Sequence, residues 1–313
     1  MTEQGEYGLQ WAWVYLFKRM EKFKMKQQKN DDGRIALVTG AGTGLGFITA
    51  KMLSERGWKV YGTIIPSQSP RELKKFDCIP IVVDITDRKS VESAYEYIAK
   101  DIGSDGLAAL VNVAGLAEIA GGVIEGVSEE RIKALFDVNV FGTLRMIQIF
   151  LPLLRQYGPA RIVNVASSGV RVPTAFSGIY AISKYAVEGI TNSLRYEMPI
   201  FGIQVTSIEP GAMETPMTAN GEDNMAKTWD RMPRNIKEIY YDKLNPSLEY
   251  MNSMIQHANK PEVVAKVIIK ALYAKKMKIR YVGGTDVKFM PFLQRLLGEN
   301  LFEKMLLKVQ KLS

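Results

Sequence analysis

The sequence predicts an α/β protein: a doubly wound parallel sheet in a single domain, with a helical lid and helical extensions at both ends. Three observations carry this reading. Short apolar runs alternate with longer amphipathic stretches from Arg34 onward. The first apolar run ends in a glycine-rich turn that opens a helix. The length of 313 residues, 47% hydrophobic and 24% charged, suits one large domain with its own core.

The apolar runs are Arg34–Thr39, Lys59–Ile65, Ile79–Val83, Leu107–Val113, Arg161–Ala166 and Ile203–Ile208. Each is short and bounded by polar or glycine-rich sequence, as strands buried on both faces are. Helical stretches fall between them at Phe47–Arg56, Ser90–Ile102, Ser128–Leu154 and Tyr180–Glu197. The segment Thr215–Lys260 is polar, rich in Met and poorly patterned for a strand, so it is read as short helices forming a lid over about 215–260. No internal repeat or low-complexity segment stands out.

The domain thus spans 34–286, with an amphipathic extension at 1–33 and an amphipathic helix at 287–313. In the first, the apolar and aromatic run Gly8–Phe17 precedes Lys18, Arg19, Lys22, Lys24, Lys26 and Lys29. That run is too short to span a bilayer, which takes roughly 20 residues. Its charges follow the apolar part, the reverse of a signal peptide. Two readings stay open. Trp11, Trp13, Tyr15 and Phe17 form an interfacial anchor, or the segment packs on the domain or a second subunit. In the last helix Phe289, Phe292, Leu293, Leu296 and Leu297 recur at helical spacing, as do Leu301, Phe302, Met305 and Leu306. Packing on the domain and contact with membrane or a lipid substrate both use that pattern.

Composition narrows the function classes. One cysteine, Cys78, excludes an internal disulfide and fits a reducing compartment. With a single histidine, His257, and no G-x-S-x-G pattern, neither a His/Cys metal site nor a Ser–His–Asp triad is expected. The net charge of +8 is concentrated partly at the ends, and no nucleic-acid-binding motif accompanies it, so nucleic acid is set aside as a partner. The expected location is intracellular, either cytoplasmic or peripherally attached to an internal membrane.

The chemistry lies in four motifs. The first is Thr39-Gly40-Ala41-Gly42-Thr43-Gly44-Leu45-Gly46, between a strand and a helix. Glycines permit a tight turn and close backbone approach to a pyrophosphate, and the helix N-terminus offers free N–H groups and a favourable dipole. Gly40, Thr43, Gly44, Leu45 and Gly46 are therefore cofactor-binding candidates. In the second, Asp84 ends the third apolar run, where its carboxylate can accept from an adenine amino group or cap a helix. The third, Asn112-Val113-Ala114-Gly115, ends the fourth strand with small residues that let a dinucleotide cross the strand ends, and makes Asn112, Ala114 and Gly115 candidates too. The fourth is Tyr180-Ala181-Ile182-Ser183-Lys184. Residues i and i+4 share a helix face, and an ammonium beside a phenol lowers its pKa toward neutrality. Tyr180 then exchanges a proton with an alcohol or alkoxide. Ser167, after the strand Arg161–Ala166, is placed to orient the substrate oxygen, as is its neighbour Ser168.

These motifs, in this order, resemble the short-chain dehydrogenase/reductase family over about Arg34–Tyr281. The matching pieces are TGAGTGLG at 39–46, NVAG at 112–115, VNVFGT at 138–143, NVASS at 164–168, YAISK at 180–184 and PGAMET at 210–215. The resemblance implies a seven-stranded Rossmann sheet and a catalytic tetrad of Asn139, Ser167, Tyr180 and Lys184. It also implies that Lys184 and Tyr180 contact the cofactor, that Asn139 helps a water relay protons, and that Ile85, Pro210, Gly211 and Thr215 complete the cofactor site. Phe141–Leu154, Ser183–Glu197 and Ile208–Gly211 are similar to the retinol, hydroxysteroid and 3-hydroxybutyrate dehydrogenase branch, as is Trp229–Lys243 to that branch's lid.

Motifs and resemblance together imply an NAD(P)-dependent oxidoreductase moving hydride between nicotinamide and a secondary or allylic alcohol or carbonyl. Its substrate is expected to be lipophilic, like a retinoid or steroid, or a 3-hydroxy acid. Thr63-Ile64-Ile65-Pro66-Ser67 offers neither the acid that suits NAD nor the base that suits NADP. The branch resemblance leans to NAD(H) over NADP(H). A homo-oligomer is expected by the same resemblance. An NADPH-dependent carbonyl reductase and a non-catalytic nucleotide-sensing protein are the other readings open here.

Overall fold

The computed structural model describes residues 33–117, 121–214 and 227–312. All but the last residue of the 1–33 extension, with Trp11, Trp13, Tyr15 and Phe17, lies outside the described residues.

Seven parallel strands form one sheet: β1 (Ile35–Val38), β2 (Lys59–Ile64), β3 (Cys78–Val82), β4 (Ala109–Asn112), β5 (Arg161–Val165), β6 (Gln204–Pro210) and β7 (Arg280–Gly283), in the order β3-β2-β1-β4-β5-β6-β7. The chain winds outward from β1 to β3, then returns past β1 to start the other half at β4. That reversal opens a crevice at the carboxyl ends of β1 and β4, where ligands bind in open α/β sheets.

The helices are α1 (Gly44–Ser54), α2 (Arg71–Lys74), α3 (Arg88–Ile102), α4 (Glu129–Phe136), α5 (Thr143–Tyr157), α6 (Gly178–Glu197), α7 (Arg234–Gln256), α8 (Pro261–Tyr273) and α9 (Met290–Val309). They cover both faces of the sheet, which explains why β1 and β4 are buried at every position instead of alternating. Successive side chains of β1 feed two separate cores. Ala36 and Val38 join Leu53 of α1 and Val264, Ile268 and Leu272 of α8. Ile35 and Leu37 join Ile98 of α3 and Met146, Phe150 and Leu154 of α5. Burying side chains of this size contributes about 1.5–3 kcal/mol each.

Three stretches depart from the expectation. Ser128–Leu154 is not one regular helix: α4 and α5 are joined by a π-helical turn, Asp137–Gly142. The wider turn carries Asn139, whose side chain bonds outside its own helix; π-turns inside helices often mark functional positions. The whole run Glu129–Tyr157 is long and apolar enough to cross a membrane; Leu135, Met146, Phe150 and Leu154 bury one side of it in the domain, while Phe141 is exposed. In the lid region, the part from Arg234 is one helix of 23 residues. Ile236, Tyr240, Leu244, Leu248 and Met251 of α7 recur every three or four positions and pack with Phe176 and Trp229, which holds the helix across Pro246. At the C-terminus α9 breaks at Gly298 (φ 71°). Phe302 and Leu306 bury against Val172, while Phe289, Phe292 and Leu296 stay exposed.

Candidate active site

The glycine loop is built by contacts that side chains would prevent. Gly40 has φ +65°, and a Cβ there would stand 2.9 Å from Cα of Ala114. A Cβ on Gly46 would stand 2.2 Å from the carbonyl oxygen of Gly40. Thr39 ties the loop to the β4 turn, its hydroxyl accepting from the N–H groups of Val113 at 2.9 Å and Ala114 at 3.0 Å. Thr63 of β2 holds the other side, accepting from Gly40 N–H at 3.0 Å. Thr43 precedes α1 in extended conformation without a side-chain cap on the helix, so first-turn N–H groups stay available to an anion.

The loop forms one end of a cavity of about 450 Å³. Gly40, Thr43, Gly44, Leu45 and Gly46 line it, together with Asp84 and Ile85, Ala114 and Gly115, Ser167, Tyr180, Lys184, Pro210 and Gly211. Its walls are mostly backbone and small or apolar groups, with donors at the glycine loop, a carboxylate at Asp84 and a proton-exchanging group at Tyr180. These residues fit a dinucleotide lying across the strand ends.

Asp84 accepts from Thr86 N–H at 2.9 Å and Thr86 Oγ1 at 2.6 Å. Those bonds hold its carboxyl below the usual range. The cap of α3 is made by Asp87, which accepts from Lys89 N–H at 3.0 Å. Asn112 does not line the cavity. Its Nδ2 donates to Asn164 Oδ1 at 2.9 Å inside the sheet, and Asn164 in turn donates to Thr191 Oγ1 at 3.0 Å. Asn112 therefore ties β4 to β5 and α6. Thr215 lies outside the described residues.

At the other end of the cavity, α6 presents Tyr180 and Lys184 one turn apart. Tyr180 and Ser167 line the same end of the cavity, where Ser167 lowers the phenol pKa and itself accepts from Gly169 N–H at 3.1 Å. Ser168 starts the next helical turn and does not line the cavity. Lys184 Nζ donates to the carbonyl oxygen of Val165 at 3.0 Å and lies 5.7 Å from the centre of the Tyr180 ring. Burial brings the Lys184 ammonium down to about 8. Burial also pushes the Tyr180 phenol above its ordinary value, against the lowering effect of Ser167. The expectation that Lys184 draws the phenol toward neutrality is thus corrected: desolvation outweighs any help from the ammonium. Asn139 accepts from Leu116 N–H at 2.8 Å and donates to Leu116 O at 2.9 Å and Ser183 Oγ at 3.0 Å. Its side chain joins the β4 turn to α6 rather than facing the cavity, and its carbonyl oxygen accepts from Thr143 Oγ1 at 2.8 Å.

The turn after β6 has a support that no sequence motif announces. Asp286 accepts from Ala212 N–H at 3.0 Å and from Asn259 Nδ2 at 2.7 Å. Asn259 also donates to Ala212 O at 3.2 Å. Asn259 and Asp286 thus hold Pro210 and Gly211 at the cavity wall from positions 47 and 74 residues beyond Ala212, too far apart for a local pattern.

Comparison with known proteins adds to this geometry. The family described as short chain dehydrogenase matches residues 34–226. Retinol dehydrogenase 7 of Rattus norvegicus is 31% identical over 287 residues, covering 89% of this chain and 88% of its own length. The 3-ketodihydrosphingosine reductase of Bacteroides thetaiotaomicron is 32% identical over 264 residues, covering 82% and 90%. Among solved structures, a short chain dehydrogenase of Burkholderia cenocepacia in complex with NADP superposes with a TM-score of 0.62 at 27% identity, covering 80% of this chain and 96% of that one. A variant actinorhodin polyketide ketoreductase with NADPH gives 0.67 at 23% identity, covering 80% and 95%. The Burkholderia structure, at 27% identity, overturns the leaning toward NAD(H), since the cofactor it holds is NADP. The leaning had rested on the branch resemblance alone; β2 is followed by no acid to repel a 2′-phosphate.

Proposed function

The chain belongs to the short-chain dehydrogenase/reductase family and is an NAD(P)-dependent oxidoreductase acting on CH–OH groups; from that premise we propose that it interconverts a lipophilic alcohol and its carbonyl compound with NADP(H), reduction being the direction its site favours. The observation that carries this is the meeting of Tyr180, Ser167 and Lys184 at one end of the cavity.

The cofactor, when bound, supplies or takes up the hydride. Tyr180 stays neutral because burial raises its pKa, so it holds a proton ready for an alkoxide oxygen. Ser167 orients the same oxygen and stabilises the tyrosine that has given up its proton. Lys184, fixed on Val165, replenishes positive charge close to the phenol and is placed to hold a ribose hydroxyl. Asn139 positions the Leu116 segment and, through Ser183, the turn of α6 between Tyr180 and Lys184.

The lipophilic substrate is supported by the lid. Val123, Phe176, Trp229, Met232, Ile236 and Leu248 form an apolar cluster next to the start of α6. Two relatives have names that specify a retinoid and a sphingoid substrate. Exposed Phe289 at the start of α9 and Phe292 and Leu296 on it, with Lys288 and Arg295 near them in sequence, support contact with a membrane surface. Exposed Phe141, Ile182 and Tyr185 support pairing of subunits through α4–α5 and α6.

The test follows NADPH absorbance with purified protein and four carbonyl compounds: a retinal, a ketosteroid, a long-chain 3-oxo lipid and 3-oxobutyrate. Turnover of one of the first three supports the reading. Turnover confined to 3-oxobutyrate would sink the lipophilic substrate, and none with any carbonyl or its alcohol would sink the enzyme.

A further inference from the structure

Nicotinamide cofactors differ at the 2′ position of the adenosine ribose, and no charged side chain directly follows β2 to read that difference. The structure puts an uncharged amide in the neighbourhood instead. Gln68 closes a turn by donating its own N–H to Ile65 O at 2.9 Å. Its side chain folds back, and Oε1 accepts from Ile65 N–H at 3.2 Å. The amide then lies over the glycine loop: a Cβ on Gly42 would stand 2.1 Å from Gln68 Oε1 and 3.1 Å from Nε2. Gln68 lines the cavity with Thr43 and Ile65.

This fold-back sorts the amide's two ends. Oε1 accepts from Ile65 N–H with one of its two lone pairs, which orients the amide, and the two N–H donors of Nε2 have no partner among the described residues. Donors beside the glycine loop suit a phosphate with several acceptor oxygens better than a ribose hydroxyl that must also donate.

We infer that Gln68 is the residue that reads the 2′ position, donating from Nε2 to the 2′-phosphate of NADP(H). An amide does here what a basic side chain would otherwise do. Because it carries no net charge, it does not depend on a counter-ion and leaves NAD(H) bound more weakly instead of excluded. The inference rests on the reading of this cavity as a nicotinamide dinucleotide site.

The experiment measures dissociation constants of NADPH and NADH by cofactor fluorescence, without turnover. It uses the full chain as wild type, Gln68→Glu, Gln68→Ala and Arg71→Ala. Gln68→Glu keeps the acceptor for Ile65 and replaces the donor by a carboxylate oxygen. It is expected to weaken NADPH relative to NADH by about tenfold or more. Gln68→Ala should weaken NADPH severalfold and leave NADH within about twofold. An unchanged NADPH/NADH ratio in Gln68→Glu overturns the inference. So does a ratio that moves only in Arg71→Ala, which would place the discriminating group on α2. Wild-type protein that binds neither cofactor takes down the reading of the cavity and this inference with it.

Discussion

Lys184 donates to the carbonyl oxygen of Val165 at 3.0 Å, pinning the helix that carries Tyr180 to the strand that leads into Ser167. The bond spans 19 positions and fixes the three side chains relative to one another before any ligand arrives. It also accounts for a charged group held at a buried position, since the carbonyl partly replaces lost water.

The first prediction concerns pH and stability. Burial brings Lys184 from its ordinary 10.5 to about 8 in the folded state. Between those values the unfolded chain binds more protons, so stability from this group is full above 10.5 and is lost as pH falls through 8. The unfolding free energy of wild type minus that of Lys184→Met should therefore rise from pH 7 to pH 10, by up to about 3 kcal/mol. Denaturant titrations at several pH values check this. A difference that stays flat would mean that the ammonium is solvated in the folded protein.

The second concerns proton transfer. Tyr180→Phe keeps the ring that packs beside Ile179 and removes only the hydroxyl. Turnover should fall by about 10²–10⁴-fold, with the dissociation constant for NADPH within about threefold. Stopped-flow kinetics and fluorescence titration separate the two. Equal loss of both in a folded variant would show that Tyr180 serves binding.

The third concerns Ser167. Ser167 works against the burial that raises the Tyr180 phenol. Ser167→Ala should raise that phenol further, so that alcohol oxidation, which needs a proton acceptor, requires higher pH. The pH profile of kcat in the oxidative direction should move to the alkaline side, while Ser167→Thr should restore most of the wild-type position. An unmoved profile in Ser167→Ala would detach Ser167 from the phenol.

Much of this was legible in the sequence where a motif is local. The glycine loop, the strand ends and the Tyr180–Lys184 spacing each encode their geometry within eight residues or fewer. The direction of Asn112 was not legible, because a polar residue at a strand end points either to the crevice or into the sheet, and its bond to Asn164, itself bonded to Thr191, forms only in the fold. The protonation tendency of Tyr180 misled because spacing tells which charge is near but not how dry the site is. The strand β7 and the helix α8 carry no motif: β7 has four residues, and α8 shows its role only when Val264, Ile268 and Leu272 meet α1 and β1.

The fourth prediction concerns buried charge. Glu209, immediately before Pro210, is buried and takes both a 2.6 Å and a 3.1 Å bond from Arg171. Arg280 stands 3.4 Å from the same carboxylate and donates to Glu188 at 2.8 Å. Arg171→Ala should destabilise the protein by about 3–5 kcal/mol, because it leaves the buried Glu209 carboxyl without its two-bond partner. Arg171→Met combined with Glu209→Leu should recover part of that loss. Thermal and denaturant unfolding of the single and double variants form the cycle. Additive losses would show that the two side chains do not act as a pair.

The fifth prediction separates helix propensity from loop geometry. Gly46 and Gly189 both sit inside helices, where alanine is intrinsically better by about 1 kcal/mol. They differ in what a Cβ would meet. At Gly189 nothing lies within 4 Å, so Gly189→Ala should be neutral or stabilising. At Gly46 the methyl would stand 2.2 Å from Gly40 O, 2.6 Å from Gly40 C and 3.0 Å from Thr39 O. All three are backbone atoms, so no side-chain rotation relieves the overlap; α1 or the glycine loop has to move. Gly46→Ala should lose about 1–3 kcal/mol of stability. Because the displaced atoms belong to the loop expected to cradle the pyrophosphate, NADPH should bind at least about tenfold more weakly. Unfolding and fluorescence titrations of both variants check the pair. If Gly46→Ala loses stability but binds NADPH like wild type, the loop has yielded without mattering to the ligand, and the pyrophosphate would have to be held elsewhere in the crevice.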